Sequence, residues 1–551
     1  MCRRMIIQGT VLLLLVAGIA VPGLVAKADD EFPQENAWHE VTPSVVWCGD
    51  PSSLATIEVH IVGRTDVAEV QVTNQNEDDR ITLYDDGTNG DATAGDNVFT
   101  NSSAQLYCSP NYLATRGGVK MWWGFLRVRL TDGREMGHNY GMTAGLVHPD
   151  FKDVFEVMDF GNGLSATAYA FFIEDTQHDV FDDYPVAELY CGKGNYNAFL
   201  KFYSVMPDAF DFTLLMPGMQ MLKPNGFAEN TPYDVLVTND VQNIGLDIMD
   251  NSALFGSAGH LKSMIYHSMG LLAIFDHEVL HTWGAGFGNS LGLLEYDVNQ
   301  GHWNDMSDTA GQMGAFYFSP GGDIGRFAYN GDGTWHLVSN SDVPPYAPLE
   351  LYLMGLIPPE EVPPVHILQS PDLSDPEHIT AASYQTITIE QIMAAEGGPR
   401  IPSADEAQTD FSLAFIVSQD DPYDDAAYAF FSLLAYDLMS LDPPHSYGNL
   451  APFHWATGGL ATLDTRLPVE LPEPRGPAPL PRPTAVPAET EEAPVITQAP
   501  EQPSATIAPP TATTEPAATP APGSPSFCPS FAAAMILMPG FVLMLRRRKR
   551  A

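Results

Sequence analysis

The chain is poor in basic residues. Its 551 residues include only 25 Lys and Arg against 69 Asp and Glu, which gives a formal net charge of −44. Nucleic-acid binding depends on basic side chains that neutralise phosphates, so this shortage argues against nucleic acid as a partner. We interpret the acidic balance as a solvated exterior, which suits a soluble surface but identifies no partner.

Cysteine is also scarce, with 5 in the whole chain. Cys2 and Cys528 lie near the two ends, which leaves Cys48, Cys108 and Cys191 between them. Cys48 and Cys108 bracket one segment with the pattern of β-strands. We therefore predict that these two form a disulfide in an oxidising compartment and that Cys191 is left over.

Long apolar runs are few, and the two that indicate targeting lie at the ends of the chain. Arg3 and Arg4 precede the run Val11–Val16, and Ala26–Ala28 offers an A-x-A cleavage site. This order is that of a secretory signal peptide, which we assign to residues 1–28.

The other end combines three segments. Residues 467–526 are dominated by Pro, Ala and Thr and predict an extended linker without a core. Residues 527–551 hold the apolar run Phe531–Leu545 and the basic cluster Arg546–Arg550. The apolar run is short for a spanning helix, which needs about 20 residues. The arrangement resembles the sorting signals of bacterial surface proteins; a simple membrane anchor is the alternative. Both predict a secreted protein anchored at the cell surface, with the cell envelope as a partner.

Between these ends we predict two domains. Residues 29–148 contain alternating stretches such as Ala55–Val62 and Val67–Val72. Short strands of this kind, separated by turn signals, predict an all-β sandwich. Residues 149–466 mix helical and strand patterns and predict an α+β domain.

One loop of the first domain, Leu83–Thr100, carries a distinctive pattern of Asp and Gly. It resembles the D-D-G-x-x-G-D-x-x-A-G-D-G-x-[YF] loop of bacterial Ig-like domains of the "choice-of-anchor" type, although Asn97 stands where a glycine is usual. It also resembles part of an EF-hand, with Asp85 and Asp96 at the first and last positions. Calcium binding and a hydrogen-bonded hairpin loop both remain open here.

The second domain contains the segment His277-Glu278-Val279-Leu280-His281. On a helix, residues four apart share a face, so both imidazoles can point at one metal ion. Glu278 lies beside them and can take a proton from water activated by the metal. This H-E-x-x-H arrangement is typical of zinc hydrolases, so we expect Zn²⁺ as the cofactor.

A catalytic zinc usually has a third protein ligand. In the metzincin pattern Gly284 takes the place of the glycine, but Phe287 stands where the third histidine belongs. His302 is our choice, brought back to the metal by an insertion after the glycine. Glu295, as in the Glu-zincin pattern, and Asp305 are the alternatives.

Two downstream segments resemble the methionine turn of metzincins, which lies beneath the zinc near an oxyanion-stabilising tyrosine. Tyr352 with Met354 could fill these roles, or Met313 could supply the methionine. On this resemblance Tyr352 is a candidate catalytic residue beside Glu278. The competing interpretation of Tyr352 and Met354 is buried core.

The combined patterns resemble secreted bacterial zincin-type metallopeptidases that have an N-terminal Ig-like domain and a C-terminal surface anchor. The resemblance implies a zinc metalloendopeptidase that hydrolyses peptide bonds of extracellular proteins or peptides. One alternative is a non-catalytic surface adhesin with a structural or vestigial zinc site. Another is a zinc hydrolase of non-peptide bonds. The sequence names neither the substrate nor the oligomeric state.

Overall fold

In a computed structural model of the protein, the described part of the chain is mostly β, with 18% of residues helical. It covers residues 37–73, 80–110, 117–177, 180, 197–219, 233–267, 275–284, 286–294, 301–314, 317–318, 324–339, 345–441 and 452–470. The predicted signal peptide, the linker beyond residue 470, the C-terminal apolar run, Cys191 and Glu295 lie outside the described residues.

Strands account for most of the regular structure. They are β1 Ala37–Thr42, β2 Val45–Trp47, β3 Ala55–Ile61, β4 Val67–Thr73, β5 Arg80–Leu83, β6 Val98–Ala104, β7 Val119–Leu130, β8 Glu135–Val147, β9 Met158–Gly161, β10 Leu164–Ala166, β11 Ala170–Glu174, β12 Phe212–Met216, β13 Tyr233–Leu236, β14 Thr238–Asn239, β15 Met249–Asp250, β16 Ser263–Tyr266, β17 Tyr317–Phe318, β18 Ile324–Tyr329, β19 Trp335–Ser339, β20 Val365–Asp372, β21 Thr380–Ile387, β22 Asp410–Gln419 and β23 Thr462–Asp464. The α-helices are α1 Asn197–Tyr203, α2 Phe275–Gly284, α3 Pro348–Met354, α4 Ile389–Glu396, α5 Asp425–Leu438 and α6 Phe453–Ala456.

The N-terminal region is β-rich, as its alternating pattern predicts. Two sheets, with strand orders β1-β3-β6 and β2-β8-β7-β4-β5, enclose one apolar core. In β3 every second side chain is buried, because alternate residues of a strand face opposite sides of the sheet. The predicted disulfide between Cys48 and Cys108 is present and joins the end of β2 to the segment after β6.

The second region is organised by a mixed sheet with the strand order β13-β16-β12-β22-β11-β10-β9. Helix α2 packs on one face of this sheet, and α1 lies on the core of the opposite face. Strand β22 runs parallel to both β11 and β12 at the centre. Its nearly continuous burial explains the central position, because a strand covered on both faces needs an unbroken apolar run.

The two regions share a core. Apolar side chains on the outer face of the β2-β8-β7 sheet, among them Val119 and Val147, belong to the same buried cluster as Phe430 of α5. A Cβ on Gly145 of β8 would lie 3.0 Å from the Phe430 ring, so the glycine lets the helix approach closely. The Thr143 hydroxyl also donates to the Met219 carbonyl across this contact, at 3.1 Å.

No helix of the described residues is both long and apolar enough to cross a membrane. Three small sheets, β14-β15, β17-β18-β19 and the hairpin β20-β21, complete the described part of the second region. Ser307, in the loop that carries His302, pairs with Ile367 of β20.

Candidate metal centre

Helix α2 lies inside the core of the second region, and all of its residues are buried. Val279 and Leu280 pack into the apolar core on one side. The Thr282 hydroxyl lies 2.9 Å from that of Ser263 on β16, which fixes the helix against the sheet. Since four residues advance a helix by about one turn, His277 and His281 lie on the same face.

The structure brings His302 to this pair. The Nε2 atom of His277 lies 3.0 Å from Nε2 of His302 and 3.2 Å from Nε2 of His281. All three side chains are buried, and together they form a group that could hold a metal ion. Zinc–nitrogen bonds of about 2.0–2.1 Å at tetrahedral angles place ligand nitrogens about 3.3–3.4 Å apart. The observed separations are close to those of a tetrahedral zinc site.

The imidazole of His277 is oriented by a backbone carbonyl. Its Nδ1 lies 2.6 Å from the carbonyl oxygen of Gln312, which accepts the Nδ1 proton and leaves the lone pair on Nε2. Burial lowers the pKa of His277 to about 3 and that of His281 well below its usual value. Both are therefore neutral, which is the form that binds a metal.

A folded-back loop positions His302. The next residue, Trp303, donates its backbone N–H to the Met313 carbonyl at 2.8 Å. Gly314 has a φ of +102°, and a Cβ there would lie 3.2 Å from the Cβ of His302. The loop from 301 to 314 therefore places its two ends side by side, so that His302 and the Gln312 carbonyl both reach His277.

A buried carboxylate that the sequence analysis did not single out holds this loop. Glu350 of α3 accepts hydrogen bonds from the Trp303 indole at 2.9 Å and from the backbone N–H of Met313 at 2.7 Å. It also accepts from the backbone N–H of Gln312 at 2.9 Å and of Ala347 at 2.7 Å. The sequence signal was Pro and Glu at the first and third positions of a helix, where Glu can reach back to cap the N-terminus.

Met313, one of the two proposed methionines, lies next to the candidate ligands. A Cβ on Gly284, the last residue of α2, would lie 2.3 Å from the Met313 sulfur. The methionine therefore packs directly on the end of the helix that carries His277 and His281. This contact gives a physical reason for glycine at position 284.

Glu278 faces the sheet, on the same side of α2 as Thr282. It is 3% exposed, and burial raises the pKa of its carboxyl group well above the usual value, with a further contribution from the charge of Asp234. A general base has to lie beside the water that binds to the metal. Glu278 directly follows His277, which is one of the candidate metal ligands.

Tyr352 and Asp305 occupy other positions. The Tyr352 hydroxyl accepts a hydrogen bond from the Arg400 backbone N–H at 2.9 Å and lines a cavity of about 110 Å³ with Arg400 and Pro358. The described contacts that assemble the three histidines do not involve Tyr352, so its catalytic role stays a prediction. Asp305 is not part of the histidine group within the described residues.

The acidic loop of the N-terminal region brings Asp85, Asp91 and Asp96 together. Their carboxylates already accept backbone hydrogen bonds: Asp85 from Gly95 at 2.6 Å and Asp91 from Gly87, also at 2.6 Å. These bonds form the hydrogen-bonded hairpin loop that was one of the two expectations. Calcium binding there stays a prediction.

Comparison with known proteins adds nothing to these observations. No family model, no curated protein and no solved structure matched the chain.

Proposed function

We propose that this protein is a zinc-dependent peptidase that hydrolyses peptide bonds of extracellular proteins or peptides. The observation that carries the proposal is the convergence of three buried imidazoles, from His277, His281 and His302. The buried Glu278 directly follows His277 on the helix that carries two of them. Three histidine ligands leave a fourth position for water or substrate, which is the pattern of a catalytic zinc. A structural site is usually closed by four protein ligands and has no use for a neighbouring base.

The donor set fits the metal. The proton of the His277 ring lies on Nδ1, which donates it to the Gln312 carbonyl. The lone pair of Nε2 therefore points towards the other two rings. Lone pairs that converge at about 3 Å within a buried site repel one another unless a cation or a proton lies between them. Neutral imidazole is also the commonest protein ligand of zinc, which agrees with the lowered pKa values of His277 and His281.

In the proposed reaction Glu278 transfers a proton from the attacking water to the amide nitrogen of the substrate. His277, His281 and His302 would hold a zinc ion, which would supply polarisation of the substrate carbonyl and a lowered pKa, of about 7, for water. The Glu278 carboxylate accepts the proton of the attacking water, and the oxygen forms a bond to the carbonyl carbon. The same carboxyl group then delivers the proton to the amide nitrogen as the C–N bond breaks. The products are a carboxylic acid and an amine.

The proposed location of the protein is the cell surface. The N-terminal signal-like segment and the apolar, basic C-terminus support it, and so does the disulfide between Cys48 and Cys108, because disulfides persist in oxidising compartments. A helix carrying H-E-x-x-H packed on a mixed sheet also supports a zincin-like assignment of the second region.

The test measures zinc and hydrolysis together. We expect purified protein to contain about one zinc per chain and to cleave a generic protein substrate such as casein, with activity lost in chelator and restored by zinc. Glu278→Gln should keep its zinc and lose hydrolysis by about a factor of 100 or more, because the ligands are untouched but proton transfer is not.

The matched control is Glu361→Gln, the same substitution at an exposed position. It should leave both readouts unchanged. Near-normal turnover in Glu278→Gln would refute the mechanism. Bound zinc without hydrolysis of any peptide would instead favour a surface binding protein.

A further inference from the structure

Asp234 is a buried carboxylate on the helix side of the central sheet. It lies on β13, the strand at the end of the described sheet, and pairs in register with Ile265 of β16. Directly opposed residues of an antiparallel pair face the same side, and Ile265 belongs to the core that contains α2. Asp234 therefore points towards the helix that carries Glu278.

The Asp234 carboxylate is only partly satisfied. It is 6% exposed, and its Oδ1 atom is buried without a hydrogen-bond partner among the described residues. Burial raises the pKa of this carboxyl group well above the usual value, and a hydrogen bond with the Ser263 hydroxyl opposes that shift. No Lys or Arg of the described residues forms an ion pair with Asp234. Burial therefore disfavours the ionised form of this carboxyl group, and a cationic partner would stabilise that form.

Asp234 lies close to Glu278, the proposed general base. The charge of Asp234 contributes to the raised pKa of Glu278, and the strand and helix that carry the two carboxyl groups are in contact. Thr282, one turn beyond Glu278, bonds to Ser263, the residue that also bonds to Asp234. A substrate positioned for Glu278 therefore lies next to Asp234.

We propose that Asp234 is a specificity-determining residue that receives a cationic group of the substrate, an ammonium or a guanidinium. The inference rests on the proposed peptidase function and adds a substrate class to it. A cation at this point forms a charge-assisted hydrogen bond to the unpaired Oδ1. It also offsets the repulsion between the two carboxylates. The cation comes either from a Lys or Arg side chain next to the scissile bond or from the free amino terminus of the peptide.

Binding is measured first, because it does not depend on turnover. The probes are lysine-containing peptides and their norleucine counterparts, each with a free or an acetylated amino terminus. Isothermal titration with the zinc-loaded Glu278→Gln variant should show at least about tenfold tighter binding of the cationic peptides. Adding Asp234→Asn should abolish this difference while zinc content stays unchanged.

Cleavage by the otherwise unaltered protein gives the second readout. The ratio of kcat/KM for cationic peptides over their neutral counterparts should fall to about one in Asp234→Asn. Asp240→Asn removes the same charge at a nearby exposed position and should keep the ratio. Loss of the preference on acetylation would identify the amino terminus as the source, whereas loss on norleucine substitution would identify the side chain.

The two proposals fail in different ways. Equal binding and equal cleavage of cationic and neutral peptides would overturn the role of Asp234 and leave the peptidase intact. A preference that survives in Asp234→Asn would also overturn it. Cation-dependent binding that Asp234→Asn removes, without cleavage of any peptide, would support Asp234 and refute the peptidase.

Discussion

At the scale of single residues, Glu350 connects two parts of the proposed zinc site. It accepts backbone N–H groups from Gln312 and Met313 and the indole N–H of Trp303, the neighbour of His302. Burial raises the pKa of this carboxyl group, and the hydrogen bonds that it accepts oppose that shift. One side chain therefore sets both the His302 ligand and the Gln312 carbonyl that orients His277.

Glu350→Gln should weaken zinc binding by about 10- to 100-fold, as is typical when a group that orients metal ligands is lost. The amide presents N–H groups to at least one backbone donor, so the loop loses bonds while the side-chain volume stays the same. Competition with a chelator measures the affinity, and the absorption spectrum of the cobalt-loaded protein reports the ligand geometry.

Glu396→Gln is the control for this substitution. Glu396 accepts one backbone N–H, from Gly288 at 2.9 Å, which an amide carbonyl can also accept. The Glu396→Gln variant should bind zinc and cobalt as the unaltered protein does. An unchanged zinc affinity and cobalt spectrum in Glu350→Gln would show that the loop does not depend on this carboxylate.

At the scale of elements, the exit from α2 is fixed by two glycines in direct backbone contact. A Cβ on Gly286 would lie 2.1 Å from the Gly245 carbonyl oxygen, and a Cβ on Gly245 would lie 2.4 Å from the Gly286 carbonyl oxygen. Gly245 also has a φ of +75°, which favours glycine. The segment that follows β14 therefore limits where the helix ends and, through it, where His281 lies.

Gly286→Ala should lower the free energy of unfolding by about 1–3 kcal/mol, because the new methyl group meets backbone that cannot move aside freely. Zinc affinity should fall as well, since the end of the helix has to shift. Denaturant unfolding and chelator competition measure the two effects.

Gly63→Ala provides the comparison, because Gly63 has a φ of +76° but no atom within 4 Å of the added Cβ. It should cost about 1 kcal/mol of strain and leave zinc affinity unchanged. If Gly286→Ala behaves in the same way, the contact with Gly245 does not position the helix.

At the scale of the whole molecule, the β-rich N-terminal region and the region with the histidines are joined by a buried contact rather than only by a linker. Val45, Val119 and Met121 of the N-terminal sheet belong to the same core as Phe430 and, further on, Val279 of α2. Apolar surface of this kind contributes about 25 cal/mol per Å² when it is removed from water. The N-terminal region should therefore stabilise the proposed catalytic region.

Residues 149–466 produced alone should aggregate or unfold at a lower temperature than residues 29–466, because the truncation exposes the α5 face that Val119 and Val147 cover. Phe430→Ala in the longer protein should act in the same direction, at about 3–5 kcal/mol. Size-exclusion chromatography and thermal unfolding give the readouts. A monomeric 149–466 with an unchanged Tm would show that the contact contributes little.

The sequence by itself determined what local periodicity and spacing can determine. The four-residue spacing of His277 and His281 places them on one helical face, and alternation in Ala55–Ile61 specifies a half-buried strand. Cys48 and Cys108 could be paired because they bracket one β-segment. In the first two cases the relevant neighbours lie within a turn of helix or a strand, and in the third they lie within the N-terminal β-rich region.

The tertiary structure decided what depends on loops closing over long separations. His302 could be favoured over Asp305 from ligand chemistry, but its place beside α2 depends on a folded-back loop that Glu350 of α3 holds by hydrogen bonds. The central position of β22 and the approach of Asp234 to Glu278 are likewise set by sheet order and register. Such contacts leave no period in the sequence, because each depends on how distant elements pack together around a common core.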